Sequence, residues 1–318
     1  MVYGEDPAML ATFLSSLAIV FPLILLIGVG YLFKRVGFLT EAAVQGLTKV
    51  IMYAVIPANI FVHLYQADFR TNFTPRFVGF CIAAALLDVF LALILFAPVK
   101  DNKKKAAVMQ CAPMPNNGNF GLPLSEAISP TAVGCSALAN SFTAPIFNTY
   151  AVVVLEHYAG RKATAGQLVR KVLSNPVIIA TLLGLAVKLS GIALPAVVLK
   201  PLTLLSQATA ALSMISIGAR FSFDKPADVP LTIAGVGYRL VLIPAIVLPL
   251  AVWIGLRGDQ LIGVVTCLCS PVAVAAFAMA ANYDNDLALT TNIVVYSYLG
   301  TLVTMPVIIF ILRILALI

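Results

Sequence analysis

The chain is poor in charge. Of 318 residues, 10% are Asp, Glu, Lys or Arg and 61% are hydrophobic, whereas a soluble domain carries about 25% charged residues. That shortage excludes a water-soluble fold, which could not hide so much apolar surface. Histidine is scarce, with two residues, and no His/Glu zinc motif, Ser–His pair or Asp–Asp pair stands out, so no enzyme is expected. The five cysteines, Cys81, Cys111, Cys135, Cys267 and Cys269, all fall in apolar stretches. They read as packing residues, not as a disulfide or metal framework, and no cofactor is implied. The chain also lacks a long polar segment. The longest, 156–171, lies mid-sequence and is too short for a soluble domain. No basic region precedes the first apolar run, which follows Glu5 and Asp6, and this argues against a cleaved signal peptide.

What is abundant is long apolar sequence. Uncharged runs cover 11–33, 50–67, 106–125, 127–155, 261–283 and 287–312, each near or above the roughly 18–20 residues that cross a bilayer. Their continuity, without alternation, selects helices. Ten spans are predicted, at 11–33, 45–66, 77–98, 106–124, 129–156, 172–189, 198–219, 229–254, 260–282 and 286–313. With the N-terminus outside, inner loops hold 13 Lys and Arg: Lys34, Arg35, Lys49, Lys100, Lys103, Lys104, Lys105, Arg161, Lys162, Arg170, Lys171, Arg220 and Lys225. Outer segments hold six: Arg70, Arg76, Lys188, Lys200, Arg257 and Arg313. Arg239 lies within a span and counts on neither side. The bias predicts both termini outside, and it accounts for the net charge of +7 without nucleic acid.

The halves resemble each other. Pro22, Gly30, Lys34 and Gly37 precede Pro176, Gly184, Lys188 and Gly191 by 154 residues, and Phe69 precedes Phe223 by the same offset. Cys111-Ala112-Pro113-Met114-Pro115 in the fourth span echoes Cys269-Ser270-Pro271 in the ninth. One domain, 1–318, is expected to contain repeats 1–156 and 172–318 joined by the short inner loop 157–171. Five spans per repeat is odd, so the second repeat enters the membrane inverted, a recurrent plan in secondary transporters.

The fourth span is a poor continuous helix. Pro113, Pro115 and Pro123 remove donors, Gly118 and Gly121 loosen the backbone, and Asn116, Asn117 and Asn119 crowd seven residues. The ninth breaks at the matching Pro271. Paired interruptions point to a substrate site near the midplane. N–H groups freed at half-helix N-termini attract anions, and asparagine amides add directed donors and acceptors. The plainer alternative is that the prolines only kink and the asparagines only join helices. Asp88 in the third span and Arg239 in the eighth are costly in lipid. Such residues face a cavity or a partner, with Arg239 a candidate for neutralising an anion and Asp88 for carrying a coupling proton; the plainer alternative is that they pair structurally or that Arg239 snorkels. His63 reads as an interfacial histidine. Asn140, Asn148 and Tyr150 are cavity candidates on polarity alone, and Glu126 caps or pairs locally.

These residues resemble the auxin efflux carrier family, which includes plant PIN-type carriers. Pro115-Asn116-Asn117 with Gly121-Leu122-Pro123-Leu124 is similar to its fourth-helix motif. Ile56-Pro57, Ser213-Met214-Ile215-Ser216-Ile217-Gly218, Arg239 with Pro244, and Pro271 with Ala280-Ala281-Asn282-Tyr283 add weaker matches over nearly the whole chain. The resemblance implies an all-α fold of ten transmembrane helices, related to bile acid–sodium symporters. Helices 1, 2, 6 and 7 would form a scaffold, where such carriers often pair as homodimers. Helices 4 and 9 would cross at Pro115 and Pro271 in a transport subdomain that moves like an elevator. It implies substrate contacts at Asn116 and Asn117, with Pro115, Asn119, Pro271, Val272 and Arg239 around them. Val272 and Ala273 stand where PIN-type carriers have Gln and Gly, so recognition differs from that of auxin. The long cytoplasmic loop of many plant carriers is absent. The chain looks like a compact bacterial member, implying the inner membrane and loosely a small carboxylate. A carrier of a small organic anion is therefore expected. The alternatives are a sodium-coupled bile-acid-type symporter and a membrane sensor that binds without transport. Proton and sodium both remain open as coupling ion, and substrate and direction are unassigned.

Overall fold

The computed structural model describes residues 7–66, 74–158, 166, 174, 176–220, 228–280, 283 and 285–318. Outside them lie Phe69 and Phe223 of the repeat, Arg70, Arg161, Lys162, Arg170, Lys171 and Lys225, most of the 157–171 connection, Ala281, Asn282 and the side chain of His63.

Among the described residues the chain is all helical and contains no strand. The helices are α1 (Pro7–Arg35), α2 (Glu41–Gln66), α3 (Pro75–Leu95), α4 (Asn102–Cys111), α5 (Leu122–Ile128), α6 (Pro130–Tyr158) and α7 (Pro176–Leu189). They continue with α8 (Ala196–Gly218), α9 (Val229–Trp253), α10 (Gly258–Leu268), α11 (Val274–Ala280) and α12 (Leu287–Ile314). Six of them, α2, α3, α6, α8, α9 and α12, are long and apolar enough to cross a membrane. The predicted fourth span is divided between α4 and α5, with a π-turn at Asn117–Gly121 leading into α5. The ninth is divided between α10 and α11. Breaks at proline explain both, because each proline removes a helical donor and crowds the preceding turn.

Outward faces are apolar. Tyr53, Val197 and Trp253 are 72%, 84% and 82% exposed, which suits lipid and costs free energy in water. By contrast, every residue from Leu261 to Leu268 in α10 is buried, so this half-helix lies at the centre of the packing. Its neighbours are α3, α5, α6 and α9.

Two helix pairs approach through glycine. A Cβ on Gly30 of α1 would lie 2.1 Å from the Ile215 carbonyl oxygen in α8, and one on Gly218 would lie 1.8 Å from that of Ile27. On the other pair, a Cβ on Gly184 of α7 would meet Leu64 at 3.2 Å and the Phe61 backbone at 3.4 Å in α2. Lipid tails are as apolar as side chains, so close van der Waals contact, not water exclusion, drives these pairings. Gly30 and Gly184 are repeat partners. Gly37 and Gly191, another such pair, end α1 and α7 alike. Their φ values are +78° and +69°, and their N–H groups donate to Lys34 and Lys188 carbonyls, each at 3.2 Å. Glycine adopts this left-handed conformation without a steric penalty.

Candidate functional site

The two interruptions meet. Pro115 and Val272 form an isolated antiparallel bridge. The Asn116 N–H donates to the Pro271 carbonyl at 2.8 Å, and the Ala273 N–H donates to the Met114 carbonyl at 2.7 Å. In this register Pro115 occupies a position whose own N–H points away from the partner strand, so its missing donor leaves the bridge intact. The Val272 N–H, also turned away, donates to Ser297 Oγ on α12 at 3.0 Å.

Four half-helix ends converge here, and several carbonyls of the two C-terminal ends find partners within the protein. In α4, the Met109 carbonyl accepts from Tyr150 Oη at 3.1 Å, and the Cys111 carbonyl accepts from the Met114 N–H at 3.1 Å. In α10, the Leu268 carbonyl accepts from Arg239 Nη2, and the Thr266 carbonyl accepts from Ser270 Oγ. The N-terminal ends differ. Asn116 caps the π-turn, its backbone carbonyl accepting from Phe120 and Gly121 at 3.1 Å each and its Oδ1 accepting from the Asn119 N–H at 3.4 Å. The N–H groups of Gly118, Val274 and Ala275 find no protein acceptor among the described residues, as expected for first-turn donors.

The asparagines are held in place. The Asn116 amide nitrogen donates to Tyr298 Oη, whose ring also packs edge-on against Phe120 with centroids 5.8 Å apart. Asn117 is clamped by Ser136: its Nδ2 donates to the Ser136 carbonyl and its Oδ1 accepts from Ser136 Oγ, both at 3.1 Å. Ser136 Oγ and Thr266 Oγ1 are 2.8 Å apart, which ties the π-turn to α6 and α10. Asn119 Oδ1 accepts from Ser213 Oγ of α8 at 3.3 Å. Gly121 makes room for this arrangement. A Cβ there would lie 2.2 Å from the Thr266 carbonyl oxygen and 2.3 Å from Asn117 Oδ1.

A cavity of about 100 Å³ opens beside the bridge. Asn116, Asn117, Gly118, Asn119, Asn140 and Asn148 supply its polar lining, with Ile56 and Phe147 among the apolar walls. The structure thus brings together Pro115, Asn116, Asn117, Asn119, Pro271 and Val272, with Asn140 and Asn148 across the cavity. Val272 itself is fully buried in the bridge.

Asp88 and Arg239 are placed elsewhere, against each other. Arg239 Nη1 lies 2.8 Å from Asp88 Oδ2, and both side chains are fully buried. Tyr238 Oη donates to Asp88 Oδ1 at 2.7 Å. Arg239 therefore joins α3 and α9 and brings positive charge to the C-terminal end of α10, where the helix dipole favours it. Neither residue lines the cavity beside the bridge.

Ser297, Tyr298, Ser136 and Thr266 hold the site but escaped sequence reasoning, and Ser213 enters there only as part of a family-like segment. They sit in spans with many hydroxyls. Only the packing selects which of them face the bridge.

Long helices with apolar outer faces, and polar groups converging on a broken-helix cavity, define an integral membrane transporter. The chain belongs to the membrane transport protein family, which matches residues 15–309 and embraces the auxin efflux carriers. It is similar to an uncharacterized transporter of Methanothermobacter thermautotrophicus, 26% identical over 300 residues covering 92% of this chain and 97% of that one. An uncharacterized transporter of Methanocaldococcus jannaschii is 22% identical over 289 residues, 86% of this chain and 91% of that one. Auxin efflux carrier component 3a of Oryza sativa subsp. japonica is 27% identical over 146 residues, 43% of this chain and 23% of that one.

Proposed function

We propose that the chain is a secondary carrier of a small organic anion, bound where the two interrupted segments meet. The observation that carries this reading is the Pro115–Val272 bridge. It sets the N–H groups of Gly118 and Ala275, which find no acceptor among the described residues, and the amides of three asparagines around one cavity. Backbone donors and helix dipoles favour negative charge without a buried cation, so the ion pair of Arg239 with Asp88 does not weaken the reading.

In this proposal the ten spans form two inverted five-helix repeats. α4 with α5, and α10 with α11, are the crossing fourth and ninth spans. The matched glycine ends of α1 and α7 and the glycine contacts of α1 with α8 and of α7 with α2 support that plan. The scaffold is then α1, α2, α7 and α8, and the remaining helices move against it to expose the cavity alternately.

The test is flux into proteoliposomes over a panel of small carboxylates, auxin-like acids and bile acids, with and without sodium and a pH gradient. The expected result is saturable flux of one acid class that falls at least tenfold in Asn116→Ala, with folded yield retained. Normal flux in that variant would falsify the site. Dependence on sodium would favour the symporter reading, and binding without flux would favour the sensor.

A further inference from the structure

A second cavity lies against α11, the half-helix that follows the bridge. Its volume is about 230 Å³, and its walls are Lys34 of α1, Glu41 of α2, Ile217, Ala219 and Arg220 at the end of α8, Val274 and Phe277 of α11, and Thr291, Val294 and Val295 of α12. The first cavity takes walls from α2 and α6, and the second takes walls from α8 and α12 besides those from α1, α2 and α11. Under the repeat, α8 corresponds to α2 and α12 to α6, so the second cavity is the counterpart of the first in the other half.

The two differ in chemistry. The first is lined by amides, and the second carries charge at one end and apolar side chains at the other. Lys34 Nζ is 2.8 Å from Glu41 Oε2, so these two charges offset each other. Arg220 lies within electrostatic reach of Glu41 but is not bridged to it, so the cavity keeps a net positive charge. Its Nη2 donates to Thr48 Oγ1 at 2.7 Å. Its Nε is buried and has no hydrogen-bond partner, and the guanidinium makes no ion pair among the described residues. A buried donor without an acceptor is costly to leave unpaired, and a guanidinium presents its N–H groups in a fork that matches a carboxylate. Ile217, Phe277, Val294 and Val295 give the same cavity an apolar wall.

We infer that this cavity is a second binding site, for a small monocarboxylate with a short apolar body, its carboxylate on Arg220 and its body against Phe277 and Val294. The site is assembled from α8 on one side and from α11 and α12 on the other. It is separate from the amide-lined cavity, and it does not require that cavity to be the transport site.

The test uses full-length protein in phosphatidylcholine nanodiscs, without anionic lipid, and benzoate as the probe. Saturation binding is measured for the unaltered protein and for Arg220→Gln, Val294→Phe and Asn116→Ala. The expected result is a benzoate site whose affinity falls at least tenfold in Arg220→Gln, and which Val294→Phe blocks by filling the apolar wall while keeping the cation. Asn116→Ala leaves that site in place. Absence of saturable binding, or binding unchanged in both Arg220→Gln and Val294→Phe, overturns the inference. Loss in Val294→Phe alone also overturns it, because the carboxylate is then not held by Arg220. Loss in Arg220→Gln alone overturns the placement of the ligand's body. Loss of the benzoate site in Asn116→Ala would overturn its separateness from the amide-lined cavity, whose own role is decided by the flux test.

Discussion

Asn116 does three things from one position. Its N–H closes the bridge to Pro271, its Oδ1 and carbonyl cap the turn that follows, and its amide reaches Tyr298. Tyr298→Phe keeps the ring against Phe120 and removes the hydroxyl that orients the amide. Transport affinity is expected to fall about tenfold, or 1.4 kcal/mol, with little change in thermal stability. Equal affinity would show that the amide needs no such support. At Gly121 the expectation is reversed. Gly121→Ala drives a methyl into the Thr266 carbonyl, so folded yield drops sharply, as size-exclusion recovery will show. The Asp88–Arg239 pair tests a third case. Arg239→Gln leaves a buried carboxylate unpaired and is expected to cost about 3–5 kcal/mol, whereas replacing both residues by apolar ones costs less. If Asp88 carries a coupling proton, Asp88→Asn also abolishes the response to a pH gradient.

Helix ends set the behaviour of the elements. Asp228 caps α9, accepting from the Leu231 N–H at 3.1 Å, and pairs with Lys104 of α4 at 2.7 Å. That lysine holds the Asp228 carboxyl below its ordinary range, and Asp228 in turn raises Lys104. The stability from Asp228 is present above its unfolded value, about 3.9, and is lost as pH falls through the lower folded value. The part from Lys104 is present below about 10.4 and is lost as pH rises through the higher folded value. Asp228→Asn retains a competent cap and removes the charge, so it flattens the acid limb of a stability–pH curve and leaves the cap's contribution. An unchanged acid limb would mean the pair is screened by solvent. The broken spans were legible in sequence because proline and glycine act locally. That they cross at Pro115 and Pro271 was expected only from the family resemblance, because nothing in the composition or spacing of either segment specifies a backbone bridge between residues 115 and 272.

For the whole molecule, charge bias predicts both termini outside. Reporter fusions at residue 318 are expected to be active on the outer side of the membrane, and an inner location would reverse the assignment of every loop. The glycine contacts bear on architecture. Gly30 and Gly218 let α1 and α8 touch backbone to backbone. Ala at either position is expected to separate them and lower the melting temperature, and the effect of the pair is expected to be less than additive because they share one interface.

Apolar length, the scarcity of charge, the placement of Lys and Arg and the two proline-rich interruptions determined from the sequence alone that this is a helical membrane protein with two interrupted spans. Each of those signals is carried by neighbours along the chain. The tertiary structure alone decided that Pro115 lies against Val272 and that Arg239 answers Asp88. It also decided that Ser136 and Tyr298 fix the asparagines and that Arg220 faces a second cavity. These pairings join residues from about 19 to more than 180 positions apart. Their partners are chosen by packing geometry, which composition and periodicity do not encode.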